Sequence, residues 1–310
     1  MRIDHESPRK YRRSHVAAVV VALSGAALLV PGIGMAFATP AAAHRLATAI
    51  PTPPKDPTVA ALVPASFRAK GSVSAAMDAS YPPDEFIAAN GSTIVGMDAD
   101  FNVALGAVMG VKWVGVNAVF DTIIAGLQAG KFDVGNSSFT VNQKREKQVN
   151  FVTYFQAGEG YYVSKSSMLK LNGLMSLCGR TVSVEDGTTE QTDAQNQAKA
   201  CTKAGKKPDT VLSFSSQNEA NLAISSGRAQ IGFADSQVAG YIVSEAKGQF
   251  KLDGPAFGVA PYGFAFAKSS KLDAATLAAV KVLMKDGIYA KILKKWGVQA
   301  GAITKPVILP

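Results

Sequence analysis

Short apolar runs alternate along this chain with longer stretches in which apolar positions return at helical spacing. Residues 73–77 read as a first strand, with Tyr81-Pro82-Pro83 in the loop after it. Residues 100–109 place Phe101, Leu105 and Val108 on one helical face. Residues 111–116 predict a strand, and 121–129 a helix stopped by Gly130. Residues 133–138 are extended. Residues 180–184 form a strand that runs into Gly187-Thr188-Thr189, where another helix starts. Strands at 210–214 and 230–233 flank a helix over 217–226. Near the C-terminus, Ile288, Ile292 and Trp296 recur every four residues, as on one face of a last helix. Strands alternating with helices predict an α/β sheet with crossover helices. Ligands of such sheets gather beyond the carboxyl ends of the strands. Tyr81, Ser138, Thr189 and Asp235 all fall at such ends. They come from two blocks, before about 160 and after about 180, which fits two lobes facing a cleft.

The N-terminal pattern is different. Arg9, Lys10, Arg12 and Arg13 precede an apolar run from Val16 to Val30, and Ala41-Ala42-Ala43 offers a cleavage site. Residues 1–43 therefore read as an export signal, with Ala36-Phe37-Ala38 an alternative cleavage site and an uncleaved anchor the competing reading. No cysteine lies near for lipid attachment. Residues 44–70 hold Pro51, Pro53, Pro54, Pro57 and Pro64 and read as a semi-rigid linker rather than a packed element.

Composition narrows the chemistry. The three histidines are His5, His15 and His44, so the body from 71 onward has none, which removes Ser-His-Asp and Cys-His catalysis and histidine-ligated metals. The chain carries a formal +9; residues 1–43 hold Arg2, Arg9, Lys10, Arg12 and Arg13 against Asp4 and Glu6, or +3, which leaves +6 for the rest. No basic run is interleaved with aromatics, so a nucleic-acid partner is not expected. Cys178 and Cys201 are the two cysteines. In an exported chain they suggest a disulfide, free thiols being the alternative; the bridge would close a loop of about 24 residues for roughly 3 kcal/mol. No phosphate-binding loop is present, and neither a cofactor nor a metal is expected.

The most specific local pattern is Ser138-Phe139-Thr140 followed by Arg145. On an extended segment the two hydroxyls would point the same way. Asn142 is placed to cap a helix carrying Arg145. A guanidinium fork beside hydroxyls and free N–H groups receives a carboxylate. With no catalytic pattern beside it, this implies capture of a small acid rather than turnover.

Around this pattern stand Asp78-Ala79-Ser80-Tyr81-Pro82-Pro83, Gly96-Met97-Asp98, Phe120-Asp121-Thr122, Gly187-Thr188-Thr189, Ala234-Asp235-Ser236 and Lys295-Trp296-Gly297. In this order they resemble the polar amino-acid-binding proteins of bacterial ABC importers, over roughly residues 70–300. The resemblance implies a two-lobed α/β fold of the type II periplasmic-binding class, hinged at two chain crossings near 162–164 and 258–262. It divides the chain into a first lobe of 71–162, a second of 163–257, and a return of 258–310 to the first, whose last helix packs there. Arg145 would then bind the α-carboxylate, with Thr140 and Thr189 beside it. Asp235 would face the α-ammonium from the second lobe, with Ser138 also near it. Tyr81 and Phe120 would wall the aliphatic part, and Asp78 would face the side chain. Each has a plainer reading: a surface arginine, turn hydroxyls, helix caps at Thr188, Thr189 and Asp235, core aromatics, a turn aspartate. The family commonly has phenylalanine where this chain has Asp84. The expected function is capture of a free, polar L-α-amino acid by an exported monomer for an ABC permease, without catalysis. Which amino acid is left open. Two rivals remain: a cyclohexadienyl-dehydratase-like enzyme, for which Glu185, Asp186 and Glu190 lie near the cleft, and a ligand-sensing module without transport.

Overall fold

The computed structural model describes residues 50–310. The expected export signal and the first residues of the expected linker lie outside the described residues. From the N-terminal side the elements are α1 (Pro57–Leu62), α2 (Ala65–Lys70), β1 (Ser72–Met77), β2 (Ser80–Tyr81), β3 (Glu85–Ile87), β4 (Ile94–Val95), α3 (Met97–Met109), β5 (Lys112–Asn117), α4 (Phe120–Gln128), β6 (Val134–Gly135), α5 (Gln143–Glu146) and β7 (Val149–Ser164). After them come β8 (Thr181–Glu185), α6 (Thr189–Lys203), β9 (Thr210–Phe214), α7 (Gln217–Ser225), β10 (Ile231–Asp235), α8 (Ser236–Glu245), β11 (Phe250–Leu252), β12 (Phe257–Ala267), α9 (Leu272–Lys285), α10 (Ile288–Trp296) and β13 (Ile308–Leu309).

The main sheet runs β5-β1-β6-β12-β7-β10-β8-β9, with β11 and β13 alongside β7. Each end is parallel, as alternation with helices requires: β1 with β5 and β6, and β8 with β9 and β10. In between, β7 and β12 lie antiparallel and belong to both lobes. The first part of β7, to Ala157, pairs with β12 and β13; from Glu159 it pairs with β10 and β11. The first changeover thus precedes the expected 162–164. The transfer falls at Gln156-Ala157-Gly158-Glu159-Gly160, where exposed Gln156 interrupts an otherwise buried apolar run. The second lies in β12, where the register slips between Phe257 and Ala260.

The first lobe packs Val73 of β1, Phe101, Leu105 and Val108 of α3, Phe264 of β12 and Ile292 of α10 into one core, all of them fully buried. The predicted face of α3 is therefore its buried face; burying one such side chain contributes roughly 1.5–3 kcal/mol. At the end of α10, Trp296 Nε1 donates to Asp100 Oδ2 at 2.7 Å, which ties this helix to the first turn of α3. In the second lobe, Tyr161, Val182, Val184 and Phe233 form one cluster and Tyr162, Ala223, Ile224 and Val238 another. Cys178 and Cys201 are bonded, with their Cα atoms 5.6 Å apart, and join the segment before β8 to α6.

The expected linker is packed over much of its length. Asp56 accepts hydrogen bonds from the Thr58 and Val59 N–H groups and caps α1, whose first residue is Pro57. Proline is tolerated there because that N–H has no helical partner. Val59 and Val63 are buried in the first-lobe core. The prolines set the ends of these short helices rather than keeping the segment extended. Among the described residues no helix is long and apolar enough to cross a membrane.

Candidate functional site

A small, nearly closed cavity lies where the carboxyl ends of β1 and β8 face each other. Asp78, Tyr81, Phe120, Ser138, Thr140, Arg145, Thr189 and Asp235 all line it. These are the eight positions that the sequence reading named, brought together around one cavity. That reading gave no ligand role to Glu85, Ser137 or Thr188, and named Glu185 and Glu190 only as acids near the cleft for the dehydratase rival; all five line the same cavity. Their signal was present: Glu185 ends β8, and Thr188 and Glu190 flank Thr189 at the start of α6. Asp186, by contrast, accepts a bond from Gln191 Nε2 at 2.7 Å and is not part of the lining.

Arg145 is positioned by its own short helix. Asn142 Oδ1 accepts the Arg145 N–H at 3.0 Å, the expected cap. The side chain is 6% exposed, so it is not a surface arginine. Its guanidinium stands 5.3 Å from each of the Phe120 and Phe139 rings, which stack at 4.7 Å. Nη1 donates to Thr140 O at 2.7 Å and Nη2 to Gly187 O at 3.0 Å, across the cleft. Two of five N–H groups are thus committed, leaving donors for an anion.

Ser138 corrects the geometry behind one expectation. It has a φ of 48°, in the left-handed region, so the extended run does not continue through it and the same-side argument for Ser138 and Thr140 fails. Asp98 Oδ2 accepts the Ser138 N–H at 2.9 Å, and Asp84 Oδ2 accepts its hydroxyl at 3.0 Å. These buried acids turn the chain at Ser138 and occupy its hydroxyl. Asp84 itself is fully buried and also receives Gln237 Nε2 of α8, at 2.7 Å across the cleft.

The caps resolve as follows. Thr188, not Thr189, caps α6, accepting the Gln191 N–H at 3.1 Å. Asp235 occupies the N-cap position of α8 but makes no side-chain cap bond. Its Oδ2 accepts instead from Tyr81 Oη at 2.9 Å, from the opposite lobe. Asp78 Oδ2 accepts the Phe120 N–H at 2.9 Å. The Tyr81–Asp235 bond and a bond from Gln217 N to Ser80 Oγ, at 3.1 Å, hold the lobes closed on each other.

The electrostatics are lopsided. Asp78, Glu85, Glu185, Glu190 and Asp235 line the cavity with Arg145 as its single cation. Burial pushes the Asp235 carboxyl up to about 6, against hydrogen bonds from Tyr262 and Tyr81 and the charge of Arg145. Burial, then Asp78, raises Glu185 well above the usual carboxylate range; burial, then Asp235 and Glu159, does the same for Glu190. Glu159, just behind Glu190, is pushed up to about 8 by burial and by Asp193 and Asp235. The buried side-chain oxygens Oε1 of Glu185 and Oε1 of Glu190 have no hydrogen-bond partner.

Two lobes closed on a small polar cavity are the build of a solute-capturing protein. The chain belongs to the bacterial extracellular solute-binding proteins, family 3, whose sequence profile matches residues 73–299. It is 31% identical over 253 residues to an arginine-binding protein of Corynebacterium glutamicum, covering 81% of this chain and 83% of that one. Among solved structures it is similar to an ancestral arginine-binding protein bound to arginine, with 34% identity, a TM-score of 0.67, and coverage of 73% of this chain and 98% of that one. It is also similar to an ancestral amino-acid-binding protein described as a precursor of cyclohexadienyl dehydratase, with 31% identity, a TM-score of 0.67, and coverage of 74% and 97%.

Proposed function

We propose that this protein is exported, captures one L-α-amino acid with a positively charged side chain, and presents it to the membrane subunits of an ABC importer. The observation that carries the substrate class is the excess of five carboxylates over one guanidinium around the cavity. In this reading Arg145, Thr140 and Thr189 receive the α-carboxylate, and the α6 N-terminus adds a favourable dipole. Asp235 receives the α-ammonium. Tyr81 and Phe120 flank the aliphatic stem. The zwitterion uses one cation and one carboxylate of the site; burial holds the remaining acids toward their protonated form, and a cationic side chain, unlike a neutral one, would stabilise their ionised form. The names of the relatives point the same way. Each lobe supplies only part of these contacts, so the ligand favours the closed form through its differential affinity.

A thermal-shift panel of the L-amino acids tests this. Arginine or lysine, at a thousandfold above its dissociation constant, should stabilise the protein by roughly 4 kcal/mol. A larger shift with an acidic or aliphatic amino acid would defeat the substrate class. Arg145→Ala should weaken calorimetric binding by about a hundredfold or more while the ligand-free protein still melts cooperatively. A second reading, a dehydratase on the same fold, is favoured by one observation: Glu185 and Glu190 are buried carboxyls held toward the protonated form, as a general acid must be. Turnover of prephenate or arogenate that is lost in Glu190→Gln would support it.

A further inference from the structure

The acids of the cavity fall into two groups. Arg145 feels Glu190 and Asp235 as its main charged neighbours, and these mark the end of the cavity that takes the α-amino and α-carboxyl groups in the reading above. Asp78 and Glu185 form the other group. They stand at the carboxyl ends of β1 and β8, one from each lobe, close enough for the two carboxyls to share a proton in a hydrogen bond when no cation lies beside them. Both are buried, at 6% and 2% exposure. Asp78 has a partner, since its Oδ2 takes the Phe120 N–H at 2.9 Å. Glu185 lacks one at Oε1, although that atom is buried and the residue lines the cavity. A buried acceptor without a donor is costly, and two adjacent carboxylates without a cation more so. A guanidinium or ammonium donating to both would satisfy the acceptors and cancel charge, whereas a neutral amide could donate to both but would cancel none.

We propose that Glu185 is the residue that selects for a positively charged side chain, its free Oε1 closing from the second lobe, opposite Asp78 of the first, on the side-chain cation of the bound amino acid. This rests on the reading that the cavity takes an L-α-amino acid. It adds that the discrimination between charged and neutral side chains comes from a specific carboxylate and from closure, because Asp78 and Glu185 meet only when the lobes meet.

The test uses L-arginine and L-citrulline, which share a shape and differ in side-chain charge, titrated calorimetrically into the whole chain and its Glu185→Gln variant. The unmodified protein should prefer arginine by about a hundredfold or more. Glu185→Gln should cut that preference by at least about tenfold, mainly through weaker arginine binding, with citrulline within about threefold of its original affinity. The ligand-free variant should melt no lower than the parent, because the substitution keeps the shape and removes a buried carboxyl. An unchanged preference in the variant, or equal weakening of both ligands, would overturn the assignment while leaving amino-acid capture intact. A parent that binds citrulline as tightly as arginine would also overturn it. A parent that binds no amino acid would remove the reading on which it rests.

Discussion

Asp235 sits where a helix cap belongs and leaves the cap unmade. Its carboxylate turns to Tyr81 instead, and its backbone N–H donates to the same hydroxyl at 3.1 Å. Asp235→Asn keeps the shape and the Tyr81 contact but removes the charge. It should weaken arginine binding by about a hundredfold, read by calorimetry, with no loss of ligand-free melting temperature. At this scale the sequence was most legible where spacing carries the geometry. Arg145 follows its cap residue by three, and Asp235 closes its strand. It was less legible where burial decides. Nothing local distinguishes Glu185, buried with an unpaired oxygen, from Asp186, engaged with Gln191. The turn at Ser138 is imposed by Asp84 and Asp98, far away in sequence.

Gly187 links β8 to α6 and lies against α4 of the other lobe. It has a φ of 80°, and an added Cβ would stand 2.8 Å from the Asp121 Cβ. Gly187→Ala should therefore hinder closure more than folding. The expected result is arginine affinity lowered at least about tenfold, with X-ray scattering showing little ligand-induced compaction; a left-handed alanine also costs about 1 kcal/mol. The cystine belongs to a different region, since neither sulfur lines the cavity. Replacing both cysteines by serine should cost roughly 3 kcal/mol in denaturant unfolding and leave affinity nearly unchanged. Elements were legible where an amphipathic face or a capping residue marks them, as in α3 and α10. The strand β7 carries its lobe change at Gln156–Gly160, a polar break that the sequence reading passed over in favour of the apolar run after it. The helices α1 and α2 hid behind prolines, because what orders them is the contact of Val59 and Val63 with the distant core.

The molecule as a whole is basic, with a formal +9, yet gathers buried acids around its cleft. This sets two opposite pH dependences. Asp235, raised to about 6, and Glu159, raised to about 8, hold protons more tightly in the folded than in the unfolded chain. The folded state therefore binds more protons between the unfolded carboxylate range, about 4, and these values, so stability falls as pH rises through that window. The ligand-free melting temperature should be several degrees higher at pH 5.5 than at pH 8.5. Of these acids the ligand needs Asp235, which lines the cavity, ionised. Its affinity should rise over the same interval, and its calorimetric heat should vary with the ionisation enthalpy of the buffer, as proton release requires.

The lobes share β7 and β12, which pass from one to the other without a loop. Spreading the cleft must therefore flex a continuous ladder, as a leaf spring bends, rather than turn two bodies on a free pivot. We expect the bending to concentrate at the slip between Phe257 and Ala260, where Gly258 has a φ of 64°. Deuterium uptake at those amides should report the strain released when the spring relaxes around its cargo.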